Sequence, residues 1–252
     1  MLLLVYEVSV MVSKQEKEKI VKDLLLTPII ATKSIHDIQL VENNKNDLEK
    51  YILSHQTYYS SIDEDMSDIA IKFYETIYNK KILKNTGHLN DTNYAGDTMN
   101  SYNQITRSKK CDEEHRLKLL YSYHCLANFW ILPMDMGRTI KSRSKQRIAS
   151  DYMDRFLNYI NDHFDEYENN YLKDFETKEE FFEFHEIKES GYFDKNTNKF
   201  VEIKVDDPNQ TIDNMIEVIH KRAEYLSKEH TEELFRLFVD EKLIQNYEED
   251  YK

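Results

Sequence analysis

A run from Glu114 to Pro133, EHRLKLLYSYHCLANFWILP, is the longest apolar stretch of the chain with polar sequence on both sides. Leu117, Leu120, Tyr121 and His124 repeat at i, i+3, i+4 and i+7. From Tyr123 onward Cys125, Leu126, Ala127, Phe129, Trp130, Ile131 and Leu132 fill nearly every direction of a helical wheel. The spacing predicts a buried central helix over 114–133. Pro133 ends it, because proline lacks an N–H and pushes the preceding residue out of the α region. A helix apolar on every side must be covered on every side, so the remaining elements are expected to pack around it, with Trp130 at the centre of the core.

What can cover such a helix is narrowed by composition. The 252 residues include only 4 Gly and 3 Pro, so turns are scarce and long helices are the natural use of the chain. The expected fold is mainly α: a multi-helix globular bundle around the 114–133 helix, with a small β-hairpin near 192–205. The chain reads as a single domain over 1–252. Its natural sub-division is a helical core over 1–164 and a helix-hairpin-helix region over 177–252.

In chain order, Leu2–Val12 suits a strand, although Met11 could be the true start. Ser13 with Glu16 forms a capping box, and Ile20, Val21, Leu24 and Leu25 then share one face up to Pro28. Asn46 with Glu49 opens a helix carrying Leu48, Tyr51, Ile52 and His55. Met66, Ile69, Ala70, Phe73 and Ile77 define a further helix within 63–83. Residues 84–111 break all periodicity, and so long a loop is the first place to look for a site. Ser150 is read as the cap of a helix with Met153, Phe156, Leu157, Ile160 and Phe164 on one face. Thr177 with Glu180 caps another, anchored by Phe181, Phe182 and Phe184. Around the turn-like DKNTN the period changes to two, which predicts the hairpin. Ile212, Met215, Ile216, Ile219, Ala223 and Leu226 then form a strong helical stripe. Thr231 is read as the cap of a last helix, packed through Leu234, Phe235, Leu237, Phe238 and Ile244.

A formal net charge of −13 argues against nonspecific attachment to nucleic acid or an anionic membrane and favours basic partners. The apolar N-terminal stretch is too short to span a bilayer and contains Glu7. Cys111 and Cys125 form no C-x-x-C pair, which fits a reducing, cytoplasmic compartment. The 18 Tyr and 12 Phe make a homodimer plausible, since aromatic residues are enriched at interface cores.

Motifs for phosphate loops, dinucleotide binding, hydrolase elbows and zincins are missing from the sequence. His36 and Asp37 are adjacent, but no earlier His exists to complete a metal-binding set of the HD phosphohydrolase kind. His88, Asp91 and Asp97 are candidate catalytic residues and candidate ligands for a divalent cation, because imidazole and carboxylate are what such a site needs. No other cofactor is predicted. His124 is a candidate general base against the plainer reading of a core imidazole with one partnered nitrogen. Arg138, Lys141, Arg143, Lys145 and Arg147 reverse the local sign of an acidic chain and could hold the phosphates of a nucleotide or nucleic acid.

The segments GDTMNSY, from Gly96 to Tyr102, and YHCLANFWILP, from Tyr123 to Pro133, together resemble a pair found in proteins of bacteria and their phages. The second is also similar to the G-N-[LF]-x-x-L stretch of HNH-type restriction nucleases. Asn128 would match the motif Asn, Ala127 stands where that stretch has Gly, and no D-H or H-H pair precedes it. The first likeness implies an acidic interaction protein, in phage defence or counter-defence, that binds a protein partner. The second assigns no catalytic residue and offers Asn128 as a binding residue; the alternative function, a metal-dependent nuclease or nucleotide-acting hydrolase, rests on the 84–111 loop with the 138–147 basic run.

Overall fold

The computed structural model describes residues 6–7, 12–31, 58–60, 64–78, 95–97, 110–131, 153–166, 175–187, 189–194, 196–197, 199–203 and 205–245. Within them the chain is mainly helical. Helices α1 (Lys14–Leu25), α2 (Asp68–Tyr78), α3 (Glu113–Ser122), α4 (Met153–His163), α5 (Lys178–Phe184), α6 (Pro208–Glu229) and α7 (Thr231–Asp240) alternate with strands of two or three residues. The strands form four pairs. β1 (Tyr6–Glu7) runs parallel to β8 (Ile244–Gln245), and β2 (Ile29–Ala31) parallel to β3 (Tyr58–Ser60). β4 (Ala95–Asp97) is antiparallel to β5 (Phe129–Ile131), and β6 (Phe193–Asp194) to β7 (Lys199–Phe200).

The first helix forms where the capping box predicts it. Ser13 Oγ accepts from Glu16 N while the Glu16 carboxylate accepts from Ser13 N at 2.9 Å. Those hydrogen bonds from Ser13 hold the Glu16 carboxyl below its ordinary range. Ile20, Val21, Leu24 and Leu25 are buried, facing α6 and α7. Thr177 likewise accepts from Glu180 N, and Phe181, Phe182 and Phe184 are buried. Here the Glu180 carboxylate reaches Glu176 N, one residue earlier than the usual box.

The 114–133 helix requires a correction. Asp112 caps α3 by accepting from His115 N, but the helix ends at Ser122. Tyr123–Cys125 turn, 126–128 make one 3₁₀ turn, and Phe129–Ile131 is a strand paired with Ala95–Asp97. A short apolar run has the same signature in a buried strand and a buried helix. The aromatic and β-branched FWI, followed within two residues by proline, favours the extended form. Trp130 is buried as expected, although on a strand.

The helix that others pack around is α6. It meets α1, α3, the 126–128 turn and α7. Over 22 residues it buries Ile212, Met215, Ile219, Ala223 and Leu226 of the predicted stripe, and also Val218 and Arg222. The hairpin is shorter than 192–205: Phe193 faces Phe200, and Val201 N donates to Tyr192 O. Its turn is held by Asp194, whose carboxylate accepts from Asn196 N and from the Thr197 hydroxyl. Thr231 is the first residue of α7, not its cap; its hydroxyl donates back to Ser227 O at 2.7 Å. Leu234, Phe235, Leu237, Phe238 and Ile244 are buried, Ile244 on β8. The caps read at Asn46 and Ser150 lie outside the described residues.

Candidate functional site

Ser67 opens α2 with an ST cap: its hydroxyl donates to Glu64 O at 2.7 Å and accepts from Ala70 N. The 64–66 turn before it is thereby fixed, and the Tyr74 hydroxyl pins it again by donating to Asp65 O at 2.9 Å. This turn packs against β2 and β4. Its first residue, Glu64, is 7 % exposed and reaches His124, 8 % exposed, across 3.0 Å between Oε1 and Nδ1.

The segment after α3 carries the other half of the site. The His124 ring lies against Tyr123 with centroids 3.7 Å apart and planes tilted by 47°, and its carbonyl accepts from Ile29 N at the start of β2. Asn128 is fully buried, and its carboxamide donates to Tyr123 O at 2.6 Å, closing the 123–128 turn. Arg222 approaches the same turn from α6. Its Nη1 donates to Ala127 O at 2.6 Å and to Phe129 O at 2.7 Å, and its Nη2 lies 3.5 Å from the Tyr78 hydroxyl. The two carbonyls flank Asn128, so that residue is held from both sides.

Three of the sequence candidates meet here: His124, Asn128 and, through the β4–β5 pairing that sets it opposite Phe129, the backbone of Asp97. The 3.0 Å between Glu64 Oε1 and Nδ1 is an ion-pairing distance for a protonated ring, without the alignment of a hydrogen bond that would fix one tautomer. Asn128 is a scaffold for the turn, so a direct binding role gains no support from its position. His88, Asp91, Arg138, Lys141, Arg143, Lys145 and Arg147 lie outside the described residues, as do His36 and Asp37. Among the described residues no group of three His, Cys, Asp or Glu side chains is arranged to hold a metal ion. Among them, too, no helix is long and apolar enough to cross a membrane.

Two participants were not read from the sequence. Glu64 sits in the acidic stretch DED with nothing to mark it as buried. Arg222 had a legible signal: it falls three residues after Ile219 and four before Leu226, on the apolar stripe itself. Comparison with known proteins finds no matching family model, no matching curated protein and no matching solved structure.

Proposed function

We propose that the chain is a phosphodiester- or nucleotide-acting hydrolase in which His124, oriented by Glu64, is the acid–base group. The observation that supports this reading is the buried Glu64–His124 pair, with β4 packed against the 64–66 turn and the backbone of Asp97 paired opposite Phe129. The basic run from Arg138 to Arg147 follows β5 closely in sequence and supplies charge for a phosphate. His124 would take a proton from the attacking water at Nε2, and Glu64 would stabilise the imidazolium that results. A divalent cation, if required, would balance charge on the phosphate. The test is hydrolysis of single- and double-stranded DNA, RNA and nucleoside triphosphates with Mg2+ or Mn2+. His124→Ala is expected to lower the rate by about 10²-fold or more while far-UV circular dichroism stays unchanged. Equal rates in wild type and variant, or a wild type inert toward the whole panel, would overturn the proposal.

A second reading is an acidic module that binds a basic protein partner, as the likeness to bacterial and phage proteins implies. It is favoured by the run of exposed carboxylates on α5 and α7: Glu179, Glu180, Glu183, Glu232 and Glu233. Pull-down from the native host with mass spectrometry tests it. A stoichiometric basic partner, together with no hydrolysis, would select this reading.

A further inference from the structure

We infer that His115 is a pH-operated latch between α3 and α6, closed while its ring is an imidazolium and opened when the ring loses its proton. The latch stands where the first turn of α3 meets the first two turns of α6. His115 Nδ1 lies 2.7 Å from Asp112 Oδ1, and its Nε2 lies 3.4 Å from Asp213 Oδ2 on α6. Only the doubly protonated ring can donate to both carboxylates at once. Asn209 completes the corner from α6: its side chain donates to Asp112 Oδ2 at 2.7 Å and accepts from Asp112 N at 3.1 Å. Asp112 is therefore shared by three tasks, capping α3, holding His115 and binding Asn209.

The other charged groups nearby are already engaged. On α3, Glu113 pairs with Arg116 and Glu114 with Lys118, while Asp207 caps α6 by accepting from Asn209 N. The charges that face the ring are thus Asp112 from its own helix cap and Asp213 from α6. The hydrogen bond to Asp112, with the charge of both aspartates, raises the His115 pKa above the ordinary 6.5. Hydrogen bonds from His115 hold the Asp112 carboxyl below its ordinary 3.8. The sign follows from both. The raised histidine contributes stability in full below its ordinary value and loses it as pH rises through its folded value. The lowered aspartate contributes above 3.8 and is lost as pH falls through its own folded value. The latch is shut below 6.5 and releases as pH rises through the raised value of His115.

The inference is independent of the chemistry proposed for His124. Its test is NMR titration of the His115 ring, with thermal unfolding of wild type, His115→Gln and Asp213→Asn between about pH 5 and about pH 9. The ring should titrate above 6.5 in wild type, a reading that needs no variant, and lower in Asp213→Asn that keeps the wild-type far-UV circular dichroism. Wild type should lose Tm relative to His115→Gln as pH rises through the value at which the ring titrates, with the α3 amides losing hydrogen-exchange protection over the same interval. Parallel pH profiles of wild type and His115→Gln, or a ring that titrates at or below 6.5, would overturn it.

Discussion

Burying a guanidinium is costly unless its donors are met, and Arg222 meets them with oxygens of the main chain. The Ala127 and Phe129 carbonyls stand at the junction of a 3₁₀ turn and a strand. Replacing Arg222 with Met should leave both without the guanidinium and lower stability by about 2–4 kcal/mol in urea unfolding. Arg222→Lys should recover part of this, since an ammonium can reach one carbonyl but lacks the planar fork. Equal stability of wild type and Arg222→Met would mean the turn is held by its own Asn128–Tyr123 bond. Tyr78, at the far side of the same guanidinium, has its hydroxyl pKa pushed by burial from 10.0 to about 12, against the opposing charge of Arg222. A raised value gives stability that is full below 10.0 and lost as pH climbs through about 12. Absorbance at the phenolate band should therefore show Tyr78 ionising late, alongside Tyr225, whose hydroxyl burial also pushes up, and Tyr78→Phe should lower the amplitude of the late step by one tyrosine.

Among the elements, those with a local signal were legible and those decided by distant partners were not. The capping box at Ser13, the Thr177 cap and the Asp194 turn depend on residues within four positions, so sequence alone placed them. Whether residues 123–131 continue α3 or leave it depends on β4, β2 and Arg222, all remote in sequence. The same separation hid Glu64, whose histidine partner lies on another element. Thr231 carried a correct composition signal with a shifted role, because α7 follows α6 with only His230 between them. The aromatic surplus finds use inside the described part: Phe175, Phe181, Phe184 and Tyr78 pack ring against ring, as do Phe182, Phe193 and Phe200. At the base of the hairpin, Gly191 has φ +92°, and a Cβ there would come within 2.7 Å of Lys221 Cβ on α6. Gly191→Ala should cost about 1–3 kcal/mol, from the left-handed backbone and the displaced contact. A Tm unchanged by that substitution would show that the hairpin can shift away from α6.

Over the whole molecule, α1 is tied to helices that lie almost at the opposite end of the sequence. Its apolar face covers α6 and α7, Lys17 pairs with Glu232 and caps the Phe235 ring, and Lys22 pairs with Glu224. During synthesis the ribosome releases α1 long before it makes those partners. At about 5–20 residues per second, roughly 10–40 s pass between the emergence of Leu25 and that of Pro208. Throughout that interval Ile20, Val21, Leu24 and Leu25 have no α6 or α7 to cover them. A helix of 12 residues is marginal in water on its own, so α1 takes lasting form only once α6 and α7 arrive, and the start of the chain is among the last parts to be locked in place.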